Sequence, residues 1–142
     1  MRAAVERTLL ESKVSWQPTL WLPTTQKDTG AGQAKQALDA GVSHLIVAGG
    51  DGTLRPVFDV IANTDLALGL VPMGTGNILA RNLGLPLLPL VPIVRRAILG
   101  EVQILDGAIA ELTRSNGQVE SHFFTVMSGI GLDATIIQNA DP

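Results

Sequence analysis

The sequence predicts an α/β fold: a parallel-sheet, three-layer domain followed by the start of an antiparallel β domain. Two apolar runs, Leu45 to Ala48 and Leu66 to Val71, have the continuous hydrophobicity of strands buried on both faces. Helical patterns precede and follow these runs, and such alternation is typical of a parallel sheet. Near residue 101 the pattern changes to paired strand-like segments. We therefore expect an α/β domain over residues 1–100 and an incomplete second domain over residues 101–142.

The elements of residues 1–100 follow from periodicity and from helix-ending glycines. Apolar residues at helical spacing predict an amphipathic helix from Arg2 to Ser12. Small residues ahead of Gly41 predict a helix from Ala31 to Ala40. A helix from Leu54 to Ala62 tolerates Pro56 because we expect this proline in its first turn. Further expected elements are a strand over Thr19–Leu22 and helices over Asn77–Leu83 and Pro92–Leu99.

The remainder of the chain is predicted to begin with a hairpin. Val102 to Ala110 and Val119 to Met127 are strand-like and are joined across Ser115-Asn116-Gly117, in which Asn-Gly is a strong hairpin signal. A helix-like run follows from Asp133 to Asn139. Residues 101–142 are too few for a β domain of ordinary size, so we expect the chain to be truncated. We also expect this incomplete β domain to expose apolar surface and to favour a homo-oligomer.

Composition narrows the class of protein. With 142 residues, 46% hydrophobic and 16% charged, the chain can fill a core and is not a disordered tail. The absence of cysteine excludes a disulfide scaffold and a thiolate metal site, and a reducing cytoplasmic location is expected. Ten scattered basic residues against thirteen acidic ones give no basic face for nucleic acid. Prolines and glycines interrupt the apolar stretches, so no membrane span is predicted.

The strongest local signal is the run Gly49, Gly50, Asp51, Gly52 and Thr53, between a predicted strand and a predicted helix. Glycines allow close approach of the backbone, and a helix N-terminus directs free N–H groups at an anion. Because a carboxylate and a phosphate repel each other, Asp51 is expected at such a site only if it has a role of its own. Asp51 either accepts the proton of an attacking hydroxyl or holds Mg²⁺. The structural alternative is a tight turn in which Asp51 or Thr53 caps the next helix.

A second glycine loop follows the next predicted strand. It contains Gly74, Thr75, Gly76 and Asn77 and again leads into a helix. Because neighbouring parallel strands end at the same edge of a sheet, we expect both loops to form one ligand site there. Neither loop has the Lys-Ser or Lys-Thr of a Walker A motif or the spacing of a dinucleotide fingerprint. The two isolated histidines have no ligand spacing, and the sequence assigns no metal ligand.

The two loops together, with the continuation Ile78-Leu79-Ala80-Arg81-Asn82-Leu83, resemble the diacylglycerol kinase catalytic family. The resemblance covers nearly the whole chain. It extends through Thr24, Gly41, Asp106 and Phe124 to the run from Ser128 to Ala134. It implies a lipid kinase of bacterial type, with sphingosine kinase relatives, that moves the γ-phosphoryl group of ATP to a lipid alcohol such as diacylglycerol.

The resemblance also implies roles for residues. Asp51 matches the aspartate at the phosphates, proposed in related lipid kinases as the base that activates the acceptor hydroxyl. Asp106 matches an aspartate linked in the sphingosine kinase branch to acceptor binding. The two glycine loops and an upstream threonine, Thr24, match the ATP-binding positions. ATP and Mg²⁺ are the expected cofactors, and transient contact with a membrane surface is expected of a lipid kinase.

The chain departs from the family pattern in three places. Arg55-Pro56-Val57 stands where members commonly have Asn-Glu-Val, and the first family strand with its Asn-Pro motif is missing. The family's second domain continues well beyond Asp133 and carries further acidic residues implicated in magnesium binding. Two alternatives stay open: a nucleotide-binding fragment without turnover, and another Gly-Gly-Asp-Gly kinase such as an NAD kinase or a phosphofructokinase. The Gly-Thr-Gly-Asn loop argues against the latter.

Overall fold

A computed structural model of the chain describes residues 1–13, 19–129 and 135. Up to residue 99 the order is two helices, a strand, a helix, a strand and two helices, and a hairpin follows. In chain order the elements are α1 (Arg2–Glu11), α2 (Ala31–Asp39), β1 (His44–Gly49), α3 (Asp51–Ile61), β2 (Ala67–Pro72), α4 (Ile78–Asn82), α5 (Leu90–Leu99), β3 (Ala108–Thr113) and β4 (Val119–Phe124).

Strands β1 and β2 form a parallel pair, which confirms the predicted α/β class. Gly49 at the end of β1 is in register with Pro72 at the end of β2, so both strands end at one edge. Alternate side chains of the strands join two different clusters, because successive residues of a strand point to opposite faces. Val47 and Leu70 belong to one cluster and Val71 to the other. The described sheet has two strands, and the three-layer arrangement of a complete domain stays a prediction.

Helices pack on both clusters and bring their apolar stripes to the sheet. The first cluster takes buried residues from α2, α3 and α4, and the second takes them from α1 and α5. Burial of such stripes is the main source of helix stability in a domain of this kind. The buried helical residues are Ala34, Leu54, Val57, Ile61, Leu79 and Ala80 in the first cluster and Val5, Ile93, Val94 and Ile98 in the second.

Residues Thr19 to Leu22 are not a strand, and this prediction is wrong. Their backbone pairs with neither sheet in the described chain. A β-prone run becomes a strand only when another strand supplies hydrogen-bond partners, and Pro23 has no N–H to donate. The segment is held instead by side chains: Trp21 packs against the second cluster, and the Arg2 guanidinium lies 4.8 Å from the centre of its ring.

Helix α3 begins three residues earlier than predicted, at Asp51 inside the first glycine loop. Pro56 therefore lies beyond the first turn, and the prediction that placed it there is wrong. Pro56 cannot donate to the carbonyl of Gly52. Since Gly52 is exposed in the first turn, water can satisfy that carbonyl and the helix continues through the proline.

The predicted hairpin is present but shorter than predicted. Strands β3 and β4 are antiparallel, and the turn closes with the Gly117 N–H donating to the Arg114 carbonyl at 2.9 Å while Gly117 has a φ of 83°. Ala108 pairs with Phe124, the last residue of β4. Residues 102–107 have no strand opposite them, so they are exposed coil rather than strand. The predicted helical run from Asp133 to Asn139 lies outside the described residues, except for Thr135 in a helical conformation.

Candidate functional site

The two glycine loops meet at the edge where β1 and β2 end. The Met73 N–H donates to the Gly49 carbonyl at 3.0 Å. A Cβ on Gly50 would lie 2.9 Å from the Gly74 Cα, and a Cβ on Gly74 would lie 2.6 Å from the Gly50 Cα. Backbone contact this close leaves no room for a side chain at either position. The structure therefore brings together the loops that the sequence placed at one edge.

The first loop forms the N-terminus of α3. Gly50 is the N-cap residue and supplies no side-chain cap. The N–H groups of Asp51 and Gly52 belong to the first turn and have no acceptor within the helix. A Cβ built on Gly52 meets no atom within 4 Å. Free donors, a positive helix end and open space beside Gly52 are what an anionic ligand requires.

The side chain of Asp51 joins the first loop to the second. Its Oδ2 accepts from the Ile78 N–H at 3.1 Å, and its Oδ1 accepts from the Leu79 N–H at 3.4 Å. Asp51 therefore caps α4, the helix after the second loop, whereas the sequence alternative had it capping the helix of its own loop. A carboxylate has about four acceptor positions, so both oxygens can still face a ligand.

Asn77 shapes the second loop from inside. It has left-handed φ and ψ of 47° and 46°, and it is 6% exposed. Its Oδ1 accepts from the Gly74 N–H at 2.9 Å, and its Nδ2 donates to the Gly74 carbonyl at 2.6 Å. Thr75 and Gly76 are exposed on the outside of the loop. The amide of Asn77 thus holds the loop closed, and the surface offered to a ligand is that of Thr75 and Gly76.

Thr24 and Asp106 lie apart from the glycine loops, in exposed coil. Thr24 precedes α2, and the end of that segment lies close to α3, because a Cβ on Gly30 would be 3.0 Å from the Thr53 carbonyl oxygen. Asp106 precedes β3 beside Gly107, whose backbone lies against the ring of Phe123. Within the described residues, neither side chain forms a hydrogen bond with a loop. Their predicted roles stay predictions.

An apolar cleft of about 190 Å³ opens beside Asp51. It lies between α3, the start of α4 and the residues that follow β4. The hairpin closes one side, where the Phe123 N–H donates to Asp59 Oδ1 at 2.8 Å and the rings of Phe58 and Phe123 are 6.1 Å apart. Its lining includes Leu54, Phe58, Ile78, Leu79, Phe123 and Val126.

No pattern in the sequence indicated this cleft. Leu54 and Phe58 are four residues apart in a helix, and their spacing indicates an apolar face without saying what covers it. The half-buried aromatic pair between α3 and β4 is a tertiary contact between residues 58 and 123. A signal from one sequence cannot separate a core position from a cleft position on the same helix face.

The described residues contain neither a cluster of metal-ligand type nor a helix that could span a membrane. In residues 1–13, 19–129 and 135, no three acidic or histidine side chains cluster as a metal site would require. Within the same ranges, each helix is too short or too polar to cross a bilayer.

Comparison with known proteins identifies relatives of this chain. The family model of the diacylglycerol kinase catalytic domain matches residues 4–108. A probable lipid kinase YegS-like protein of Pseudomonas fluorescens is 47% identical over 76 residues, which is 48% of this chain and 25% of the relative. A diacylglycerol kinase of Mycobacterium tuberculosis is 46% identical over 50 residues, covering 35% of this chain and 16% of the relative. The chain thus matches at most about a quarter of the length of these relatives.

A further relative aligns over more of the chain. An uncharacterized protein of Synechocystis sp., sll0036, is 29% identical over 110 residues, which is 77% of this chain and 23% of that protein. No solved structure matches the chain. The family model spans the sheet, both glycine loops and the helices around them, so the geometry described above is that of the matched region.

Proposed function

Because this chain belongs to the diacylglycerol kinase catalytic domain family, we propose that it binds ATP between its two glycine loops for phosphoryl transfer to a lipid hydroxyl. The observation that carries this proposal is the backbone contact between Gly50 and Gly74. It joins two loops at the carboxyl ends of adjacent parallel strands, where ligands of α/β sheets bind. Two relatives, a probable lipid kinase and a diacylglycerol kinase, support the same chemistry by their names.

The loops divide the binding of phosphate between them. The free N–H groups of Asp51 and Gly52 and the hydroxyl of Thr53 provide donors on one side. Exposed Thr75 and Gly76 provide the other side. Gly49, Gly50, Gly74 and Asn77 keep the two loops in place. Thr24, ahead of α2, contributes to the nucleotide site as the family resemblance implies.

Asp51 serves the reacting groups in this proposal. Its carboxylate is already oriented by the Ile78 and Leu79 N–H groups, so it is positioned before substrate binds. It then accepts the proton of the lipid hydroxyl or holds Mg²⁺ together with phosphate oxygens and water. Bound Mg²⁺ supplies positive charge that neutralises the phosphates.

The acceptor enters beside Asp51 in this proposal. The adjoining cleft is lined mainly by apolar side chains, which suit a lipid alcohol of the diacylglycerol type better than a sugar or a nucleotide. Asp106, ahead of β3, orients the acceptor. Because the donor is ATP and the acceptor is a lipid, we place the protein in the cytoplasm with its acceptor in a bilayer.

Calorimetric titration with Mg²⁺ and a non-hydrolysable ATP analogue tests the binding step. Gly52→Ala is the sharpest variant, because its added Cβ meets no protein atom and alanine favours the helix by about 1 kcal/mol. We expect the variant to be at least as stable as the unmodified chain and to bind the analogue roughly tenfold more weakly. Unchanged affinity for a folded Gly52→Ala protein would contradict phosphate binding at this loop.

Two further variants complete the test. Gly32→Ala is the matched control, because Gly32 occupies the same second position of α2 that Gly52 occupies in α3. An added Cβ there displaces the Asp28 carboxylate, which accepts from the Gly30 and Gly32 N–H groups at 3.1 and 3.2 Å. We therefore expect some loss of stability in Gly32→Ala but no change in nucleotide affinity. Asp51→Asn should retain analogue binding and lose phosphate transfer to diacylglycerol in the full-length protein. Transfer at the unmodified rate by Asp51→Asn would exclude a role for this carboxylate in the reaction.

A further inference from the structure

The charge of the chain is distributed unevenly. Residues 66–100 contain three charged side chains, and all three are arginines: Arg81, Arg95 and Arg96. The remaining residues carry seven basic against thirteen acidic side chains. All three arginines are exposed, and none forms a salt bridge with a carboxylate in the described ranges. An acidic chain therefore has one basic segment.

The same segment exposes large apolar side chains. Leu88 is 82% exposed, Val91 47% and Leu83 42%. Val91 and Arg95 are four residues apart on α5, so they are neighbours on its outer face. Arg96 is the next residue on that exposed side. Exposed leucines among unpaired arginines are unusual on a surface that faces only water.

The packing of α5 on β2 connects this segment to the candidate site. Ala97 lies over Gly69, in the middle of β2, and Ile93, Val94 and Ile98 share a buried cluster with Val71. Helix α5 thus packs on the strand that ends at the edge where the glycine loops meet. Arg81 is tied to that edge directly, since its Nε donates to the Gly76 carbonyl at 2.9 Å.

We propose that this part of the molecule docks on an anionic lipid bilayer. The docking surface consists of Leu88, just before α5, and Val91, Arg95 and Arg96 on the exposed side of α5. The inference rests on the proposed function, because a kinase with a lipid acceptor must bring its reacting edge to a membrane. Exposed apolar side chains enter the boundary between headgroups and acyl chains while the guanidinium groups pair with anionic headgroups.

One neighbouring carboxylate acts on this surface. Glu11 of α1 is bonded to Arg7 at 2.7 Å. The pKa of Glu11 is lowered mainly by that hydrogen bond and by the charge of Arg7, and least by the charge of Arg95. Glu11 therefore offsets a small part of the Arg95 charge, and Arg96 forms no salt bridge within the described residues. The surface keeps a net positive charge, which gives it its preference for anionic lipid.

Co-sedimentation with vesicles tests the proposal. We expect the full chain to bind vesicles of equal parts phosphatidylglycerol and phosphatidylcholine, and to bind phosphatidylcholine vesicles much more weakly. Arg95→Gln and Arg96→Gln should each weaken binding to the anionic vesicles about fivefold. Leu88→Ser should weaken it roughly tenfold. Added salt should reduce the effect of the arginines, because the contact with headgroups is electrostatic.

Matched controls separate this surface from other exposed groups. Ile104 is 97% exposed but lies outside the surface, and Lys35 is an exposed cation on α2. Ile104→Ser and Lys35→Gln should leave vesicle binding unchanged. Equal losses in the controls, or no preference for anionic vesicles, would overturn the proposal. So would a Leu88→Ser protein that binds vesicles normally but no longer self-associates, because the surface would then join copies of the chain.

The nucleotide titration is carried out on the same variants. Leu88→Ser and Arg96→Gln should bind the ATP analogue as the unmodified chain does. If these variants keep both nucleotide binding and normal vesicle binding, the docking surface is refuted and the proposed function is not. Absent nucleotide binding by the unmodified chain refutes the proposed function instead, so the two failures are distinguishable.

Discussion

The side chains of Asp51 and Asn77 hold the glycine loops in place through hydrogen bonds to backbone groups. Asp51 accepts from two N–H groups of α4, and Asn77 bonds both the N–H and the carbonyl of Gly74. Both side chains therefore have a structural role that is independent of any ligand. A loss of activity on mutation of either residue is not by itself proof of a catalytic role. For Asn77 the structural role can be measured directly.

Replacement of Asn77 should lower the free energy of unfolding more than replacement of a comparable asparagine elsewhere. Asn77→Ala loses two buried hydrogen bonds and places alanine at a left-handed φ of 47°, so we expect a loss of about 2–4 kcal/mol of unfolding free energy. Asn63 also has a positive φ, of 60°, but is exposed. Asn63→Ala should cost only about 1 kcal/mol. Equal losses in urea denaturation would contradict the role assigned to the Asn77 amide.

At the scale of elements, α3 connects the glycine loops to the hairpin. Its N-terminus carries Asp51, and its middle carries Phe58 and Asp59, which hold Phe123 of β4. The hairpin is thereby fixed against the helix that begins the candidate phosphate site. The opposite end of the hairpin is exposed, and an ion pair crosses its strands beside the turn: Arg114 Nη2 lies 2.6 Å from Glu120 Oε2.

The hairpin should respond to acid through this ion pair. The hydrogen bond from Arg114 lowers the pKa of Glu120, with a smaller contribution from His122. A folded-state pKa below the unfolded value means that the contribution to stability is complete above the unfolded pKa. It is lost as the pH falls through the folded pKa. We expect NMR titration of Glu120 to give a midpoint below that of an ordinary glutamate.

Arg114→Gln should raise the Glu120 midpoint toward its ordinary value. Arg55→Gln, on the exposed side of α3, provides the control and should leave it unchanged. A midpoint that does not move in Arg114→Gln would show that the ion pair is not formed in solution.

At the scale of the whole molecule, the apolar surface is unevenly covered. Val71 of β2 and Val94 of α5 are completely buried between the sheet and the helices that pack on it. In contrast, residues around the hairpin expose large apolar side chains, with Ile104 at 97%, Val102 at 73% and Val119 at 62%. The described hairpin is also a sheet of two strands, so each strand has an unpaired edge.

We expect this chain to self-associate in a concentration-dependent manner. Apolar surface and open strand edges both favour association of copies. Ile109→Lys on β3, where the side chain is 59% exposed, should shift the mass measured by light scattering toward the monomer. Thr113→Ser on the same strand is the control and should not. A monodisperse monomer of the unmodified chain at all concentrations would contradict this expectation.

The sequence by itself determined the α/β class, the two loops and the hairpin. Each of these depends on local chemistry. Continuous apolar runs indicate buried strands, and Gly41 ends α2 at a φ of 66°. Ser115, Asn116 and Gly117 form the turn between β3 and β4. The convergence of the loops also followed from sequence, because adjacent parallel strands end at one edge.

Only the tertiary structure decided which groups find partners far along the chain. Thr19 to Leu22 has the composition of a strand but no strand beside it, and β3 begins at Ala108 because Phe124 ends its partner. Asp51 caps α4 rather than α3, since the contact of Gly50 with Gly74 brings the second loop within its reach. Phe58 lines a cleft because Phe123 lies opposite it. Local pattern specifies which residues can pair, and the packing of distant segments selects the pairs that form.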